Sequence, residues 1–202
     1  MASRGIFAVS AGYRLLSRGA AGIDDCIADV RRAVEQFARL AALRGLEAQQ
    51  LASGGSSAGA HLALVAAMTA ADVPTAASEP AVAAVVALNP AGLDLRTFEP
   101  DAQRRLEKQV GIDEGRLLDY SLIEFVRPGN PPMQIHHGTR DDVEPIDSVR
   151  RFRDAMVRSG NECTLLEYED AEHGFHYPGN SQYFGDVIDT MVRFLLDRIA
   201  SK

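Results

Sequence analysis

Apolar residues in this chain fall into two kinds of run that alternate, one strand-like and one with helical spacing. Ile6–Ala11 is a short apolar run with β-branched and aromatic members and reads as a strand. From Asp24 to Arg44, the residues Ile27, Val30, Val34, Phe37 and Ala41 return to one helical face, and Gly45 supplies the stop. Gln49–Ser53 is a further strand candidate. The glycine-rich segment Gly54–Gly59 leads from it into an apolar helix that reaches about Met68. Val82–Leu88 is apolar throughout and ends at Asn89-Pro90, the pattern of a strand covered on both faces. Met133–His137 and Cys163–Glu169 are two more strands. Pro145–Ser159 and Gln182–Ile199 are amphipathic helices, the first turning Val149, Phe152 and Met156 inward.

Strand and helix alternating at this spacing predict an α/β fold. The expectation is about five mostly parallel strands with helices on both faces, in a single domain over 1–202. Ala91–Arg127 breaks the alternation. It is longer than an ordinary connection and carries Asp101, Arg104, Arg105, Glu107 and Lys108. It reads either as a cap-like helical excursion over the strand ends or as a crossover helix with a solvated face.

Composition narrows the function classes. The 202 residues are 46% hydrophobic and 24% charged, enough for a core without disulfide staples. A net charge of −7 gives no help in binding a polyanion, so nucleic acid is not an expected partner. The longest mostly apolar stretch, Leu62–Ala71, is too short to span a bilayer. The N-terminus lacks the pattern of a signal peptide, so the expected location is the cytoplasm. Cys26 and Cys163 stand in no metal-ligand spacing.

The chemistry begins at Gly55-Ser56-Ser57-Ala58-Gly59, which matches G-x-S-x-G. In that motif a sharp strand-to-helix turn holds the serine in a strained conformation, and small neighbours let the turn close. The hydroxyl of Ser57 then stands at the positive end of the following helix. Ser56 is the poorer candidate, because its own window ends in Ala58 rather than glycine. A serine nucleophile needs a base and a carboxylate that orients the base. On strand–turn–helix scaffolds the acid and then the histidine follow the serine. Asp141, after the strand Met133–His137, and His173, after Cys163–Glu169, meet that order. Asp142 is a weaker alternative acid and Glu144 reads as a solvated loop charge. His136, His137 and His61 read as structural, and His176 as a surface histidine or a pocket wall. Cys163 reads as a buried small hydrophobe.

These segments resemble the α/β-hydrolase esterases, in particular the acetyl-esterase and hormone-sensitive-lipase-like branch. The likeness rests on Gly54-Gly55-Ser56-Ser57-Ala58-Gly59-Ala60-His61-Leu62-Ala63, on Tyr13-Arg14-Leu15 with Asp29-Val30, and on Asn89-Pro90. It continues through Pro131-Pro132, His137-Gly138-Thr139-Arg140-Asp141 and Glu172-His173-Gly174-Phe175. It implies Ser57 as nucleophile, Asp141 as orienting acid, His173 as base and the Ala58 N–H as an oxyanion donor. It also implies a small ester substrate, with short acyl groups such as acetyl esters of carbohydrates, and no metal or organic cofactor. Members of this family begin with further strands and a His-Gly-Gly loop that donates to the oxyanion. No such motif lies upstream of Ser57 here, so weakened activity is expected. The run Ile6–Ala11 is then expected either to pair with the nucleophile strand or to leave an open edge that invites a homodimer. An amidase or peptidase of the same fold, or a silent truncated homologue acting as an interaction module, would share these features.

Overall fold

The chain is seen here in a computed structural model that describes residues 1–16, 18–19, 21–47, 50–69, 82–180 and 182–199. Helix α1 (Ile23–Ala42) carries Asp24 and Asp25 in its first turn, where the exposed N–H groups favour negative charge. Strand β1 (Ala52–Ser56) runs through Ser57 into helix α2 (Ala58–Met68). Helix α2 is buried almost all round, as its uniformly apolar sequence requires. Strand β2 (Ala84–Leu88) follows, then helix α3 (Pro100–Val110), strand β3 (Met133–Gly138), helix α4 (Ile146–Arg158), strand β4 (Cys163–Tyr168) and helix α5 (Phe184–Ile199).

The described strands form one sheet in the order β1-β2-β3-β4, and every pairing is parallel. Alternate side chains of β2 separate two apolar layers. Val85 and Ala87 meet Leu64 and Met68 of α2, with Phe152 and Met156 of α4 in the same cluster. Ala84 and Val86 face Met191, Val192, Phe194 and Leu195 of α5 on the opposite face. Strand β3 is buried along its whole length, including its polar residues Gln134, His136 and His137, so each of these needs internal hydrogen-bond partners.

Three expectations need correction. The run Ile6–Ala11 forms no strand. Ile6 is buried against α5 and β2, whereas Phe7 and Val9 are 62% and 56% exposed. A strand is stabilised by ladder hydrogen bonds to a neighbour, and among the described residues no strand lies beside this run. Phe7 instead stacks on Phe37 of α1, at the edge of a shallow apolar groove with Leu40 and Leu46. The expected Gln49–Ser53 strand is displaced to Ala52–Ser56, and Gln49 lies outside the described residues. The glycines that weaken strand propensity there are needed for packing. A Cβ on Gly54 would come 2.7 Å from the Val86 carbonyl oxygen. The sheet therefore has four described strands rather than about five.

The segment 91–127 contains α3, which starts with Pro100 and ends at the left-handed Gly111, and three short 3₁₀ turns, Leu95–Thr97, Leu117–Tyr120 and Leu122–Phe125. It is anchored in the core rather than merely solvated. Leu93 and Leu122 are fully buried in the cluster beneath α2 and α4. Among the described residues, no helix is long and apolar enough to cross a membrane.

Candidate active site

All four strands deliver their C-terminal ends to the same side of the molecule, where ligand sites of open parallel sheets form. Ser57 follows β1, Asn89 follows β2, Asp141 follows β3 and His173 follows β4.

Ser57 sits at φ 53 and ψ −121, a conformation that L residues rarely adopt. Its N–H donates to the Leu88 carbonyl at 2.9 Å, and its own carbonyl accepts from the His61 N–H at 3.0 Å. The turn is tight enough that a Cβ on Gly55 would lie 2.4 Å from the carbonyl carbon and oxygen of Gly59. Glycine at position 55 is therefore a requirement of the close crossing. Ala58 opens α2, so its N–H is one of the first-turn donors that have no intrahelical acceptor.

The loops after β3 and β4 are laced together. Thr139 N–H donates to the Tyr168 carbonyl at 2.9 Å, and Arg140 N–H to the Ala171 carbonyl at 3.0 Å. Gly138 makes this approach possible, since a Cβ there would meet the Ala171 oxygen at 2.2 Å. The lacing brings Asp141 and His173 together. His173 Nδ1 lies 2.8 Å from Asp141 Oδ2, and His173 Nε2 lies 2.9 Å from Ser57 Oγ. The side chain of His173 keeps 25% of its exposure while that of Asp141 keeps none, so the imidazole can be reached and the carboxylate is shielded. Asp141 Oδ1 accepts the N–H groups of Val143 at 2.9 Å and Glu144 at 3.1 Å, and Oδ2 also accepts from Asn89 Nδ2 at 2.7 Å. Burial raises the carboxyl pKa, but the hydrogen bonds from His173, Glu144 and Val143 outweigh it and hold it below the ordinary carboxylate range.

The structure thus joins Ser57, His173 and Asp141 in one chain of hydrogen bonds and leaves the exposed Asp142 outside it. Several neighbours differ from expectation. Glu144 is no solvated charge. It is fully buried and accepts from the N–H groups of Gly92 at 2.7 Å and Leu93 at 3.2 Å and from the Ser148 hydroxyl, while burial raises its pKa. It ties the acid loop to the loop after β2. His176 is no surface histidine. It is buried, with Nδ1 2.8 Å from Asn89 Oδ1 and Nε2 2.9 Å from Ser56 Oγ. Sequence reasoning gave Asn89 no role in the site, although Asn89-Pro90 ends an apolar strand and is among the segments that carry the family likeness. Its φ of 42 suits asparagine, which tolerates the left-handed region.

The remaining histidines are structural. His136 bonds the Tyr168 hydroxyl and Gln134, and burial pushes its pKa down to about 4. His137 Nε2 comes within 3.5 Å of Asp141 Oδ2, but its proton goes to the Glu144 carbonyl at 2.8 Å, and burial favours its neutral form. His61 donates from Nδ1 to the Ala91 carbonyl at 3.0 Å. Cys163 is buried, and that burial pushes its thiol up to about 12. No cluster of metal-ligating side chains occurs among the described residues.

The chain is similar to esterases and to a peptidase. Thermogutta terrifontis esterase 2, in a structure phosphonylated by sarin, superposes with a TM-score of 0.81 at 28% identity, covering 95% of this chain and 73% of that one. The propionate-bound form of the same enzyme gives 0.77 at 30% identity, covering 95% and 72%, and a butyrate-bound form gives 0.76. Esterase LipC of Mycobacterium tuberculosis is 29% identical over 194 residues, covering 87% of this chain and 46% of LipC. The uncharacterized peptidase YuxL of Bacillus subtilis is 30% identical over 87 residues, 43% of this chain and 13% of YuxL. The chain therefore spans less than half the length of each of these two curated relatives. With the esterase-like α/β-hydrolase fold in place and the BD-FAE family model matching residues 1–156, the chain belongs to the BD-FAE family.

Proposed function

We propose that this chain hydrolyses small carboxylic esters through an acyl-enzyme on Ser57. The observation that carries this reading is the continuous Ser57–His173–Asp141 chain at 2.9 and 2.8 Å, set on a strained strand-to-helix turn. His173 Nε2 takes the proton as Ser57 Oγ attacks the acyl carbonyl, and Asp141 stabilises the imidazolium. The oxyanion forms beside the Ala58 N–H and the positive end of α2. His173 returns its proton to the leaving alcohol, and water repeats the sequence on the acyl-enzyme. Short acyl groups fit this reading, supported by the propionate and butyrate found on the similar esterase.

An amidase or peptidase is the second reading, favoured by the likeness to YuxL. Hydrolysis of p-nitrophenyl acetate set beside the matching anilide separates the two. The expected result is ester turnover that vanishes in Ser57→Ala and a much slower anilide reaction. Equal, near-background release from both proteins would refute hydrolysis and leave the interaction-module reading.

A further inference from the structure

Asp141 Oδ2 has a second partner besides His173, and that partner sits at the end of its own chain of hydrogen bonds. Asn89 Nδ2 donates to Asp141 Oδ2 at 2.7 Å, which leaves Asn89 Oδ1 facing His176 Nδ1 at 2.8 Å. An amide oxygen only accepts, so His176 carries its proton on Nδ1. Neutral His176 then accepts at Nε2 from the Ser56 hydroxyl at 2.9 Å, and Ser56 Oγ is left to accept from the Tyr177 hydroxyl at 3.2 Å. Every donor from Tyr177 through Ser56, His176 and Asn89 points toward the carboxylate. Asn89 itself is fully buried and fixed by its N–H, which donates to the His136 carbonyl at 2.9 Å.

We propose that Asn89 is a positioning residue for Asp141, held in register by His176. The proposal rests on the hydrolase reading above. The orientation is decisive. With the Asn89 amide turned over, its oxygen would face a carboxylate oxygen at hydrogen-bond distance, acceptor against acceptor. His176 opposes that turn by requiring an acceptor at Nδ1. His173, Asp141, His136 and Tyr177, whose ring centroid lies 4.4 Å from that of the imidazole, are the titratable groups around His176. Burial and the neighbouring His173 push the His176 pKa down to about 4, so the neutral form the chain needs prevails at neutral pH. Ser56–His176–Asn89 is not a second nucleophile. Asn89 carries no charge to stabilise an imidazolium, so proton transfer from Ser56 to His176 lacks the support that Asp141 gives His173.

The test uses Asn89→Gly, which removes the donor while suiting the positive φ, together with His176→Phe and His176→Asn. The side-chain amide of the last variant can take over donation to Asn89. Two readouts are followed. One is kcat and KM across pH on p-nitrophenyl acetate. The other is the downfield proton resonance of the His173–Asp141 hydrogen bond, which does not depend on turnover.

Asn89→Gly is expected to lower kcat by about 10–100-fold, the scale of one hydrogen bond to a charged group, with KM nearly constant. The carboxylate, with one donor fewer, attracts the imidazolium more strongly. The acid limb of kcat/KM therefore moves to higher pH and the resonance shifts. His176→Phe should move both readouts in the same direction, and His176→Asn should restore them in part. Folded Asn89→Gly and His176→Phe with an unmoved limb and resonance would overturn the proposal. If Asn89→Gly does not fold, the two His176 variants decide. If the parent chain hydrolyses no ester, the resonance alone decides the positioning role, and only the hydrolase reading falls.

Discussion

Two serine–histidine pairs stand side by side at the end of β1, both with a hydroxyl 2.9 Å from an imidazole Nε2. In one, the far nitrogen meets the carboxylate of Asp141 at 2.8 Å, and in the other it meets the amide of Asn89 at 2.8 Å. Distance cannot tell them apart. Three other properties do. Ser57 occupies the strained turn at the head of α2, whereas Ser56 is the last residue of the strand. The side chain of His173 is partly exposed, whereas burial keeps His176 neutral down to about 4. The charge of Asp141 stabilises the imidazolium that general-base chemistry creates, and the neutral amide of Asn89 supplies no such charge. The lesson is that the third group and the backbone, more than the serine–histidine contact, assign the roles.

The comparison can be broken most severely at Ser57. Ser57→Ala should lower kcat by roughly 10⁶-fold, as removal of a triad serine typically does, in a burst and steady-state assay with a p-nitrophenyl ester. Asp141→Asn makes the two pairs alike in their third group. It should cost about 10⁴-fold in kcat near neutral pH while leaving the fold intact by circular dichroism.

A third expectation concerns protonation. His136 and His176 bind protons more weakly in the fold, at about 4, than in the unfolded chain, at about 6.5. Between those values the unfolded state holds more protons, so stability falls as pH drops through that window and levels off below it. For fully buried His136 the loss amounts to about 3 kcal/mol. Urea midpoints measured from pH 7 to 4 should show the slope, and His136→Gln should make it shallower, leaving the part that belongs to His176. Asp141 acts lower. Its contribution is present above the ordinary carboxylate value and is lost only as pH falls through its depressed one. The smallest effect belongs to Ser56→Ala, which removes two neutral hydrogen bonds, with His176 and Tyr177, in the part of the relay remote from Asp141. It should lower kcat by less than about tenfold, and a loss matching that of Ser57→Ala would reverse the assignment.

Much of this was legible in the residues. Helical spacing in α1, α4 and α5, the apolar run of β2 and the short strand-like runs of β3 and β4 marked those elements to within a few residues, because each helix buries one face and β2 is covered on both. Ser57, Asp141 and His173 could be read as candidates because glycines and chain order constrain such a site strongly. Ile6–Ala11 could not be placed, since a short apolar run does not reveal whether a neighbouring strand exists to pair with it. Asn89, Glu144 and His176 were missed or misread for a common reason. Their roles come from buried polar contacts with residues far along the chain, such as Asn89 with Asp141 and Glu144 with Gly92, and no local pattern records them.

The left-handed backbone at Ser57 sets stability against activity. A side chain held in such a conformation costs on the order of 1–3 kcal/mol, and glycine would relieve much of it. Ser57→Gly should therefore melt above Ser57→Ala, although both lack the hydroxyl. A library selected only for heat resistance would be drawn toward glycine at position 57 and so toward a sturdier, inert protein. Thermal selection of this chain has to be coupled to a screen for turnover.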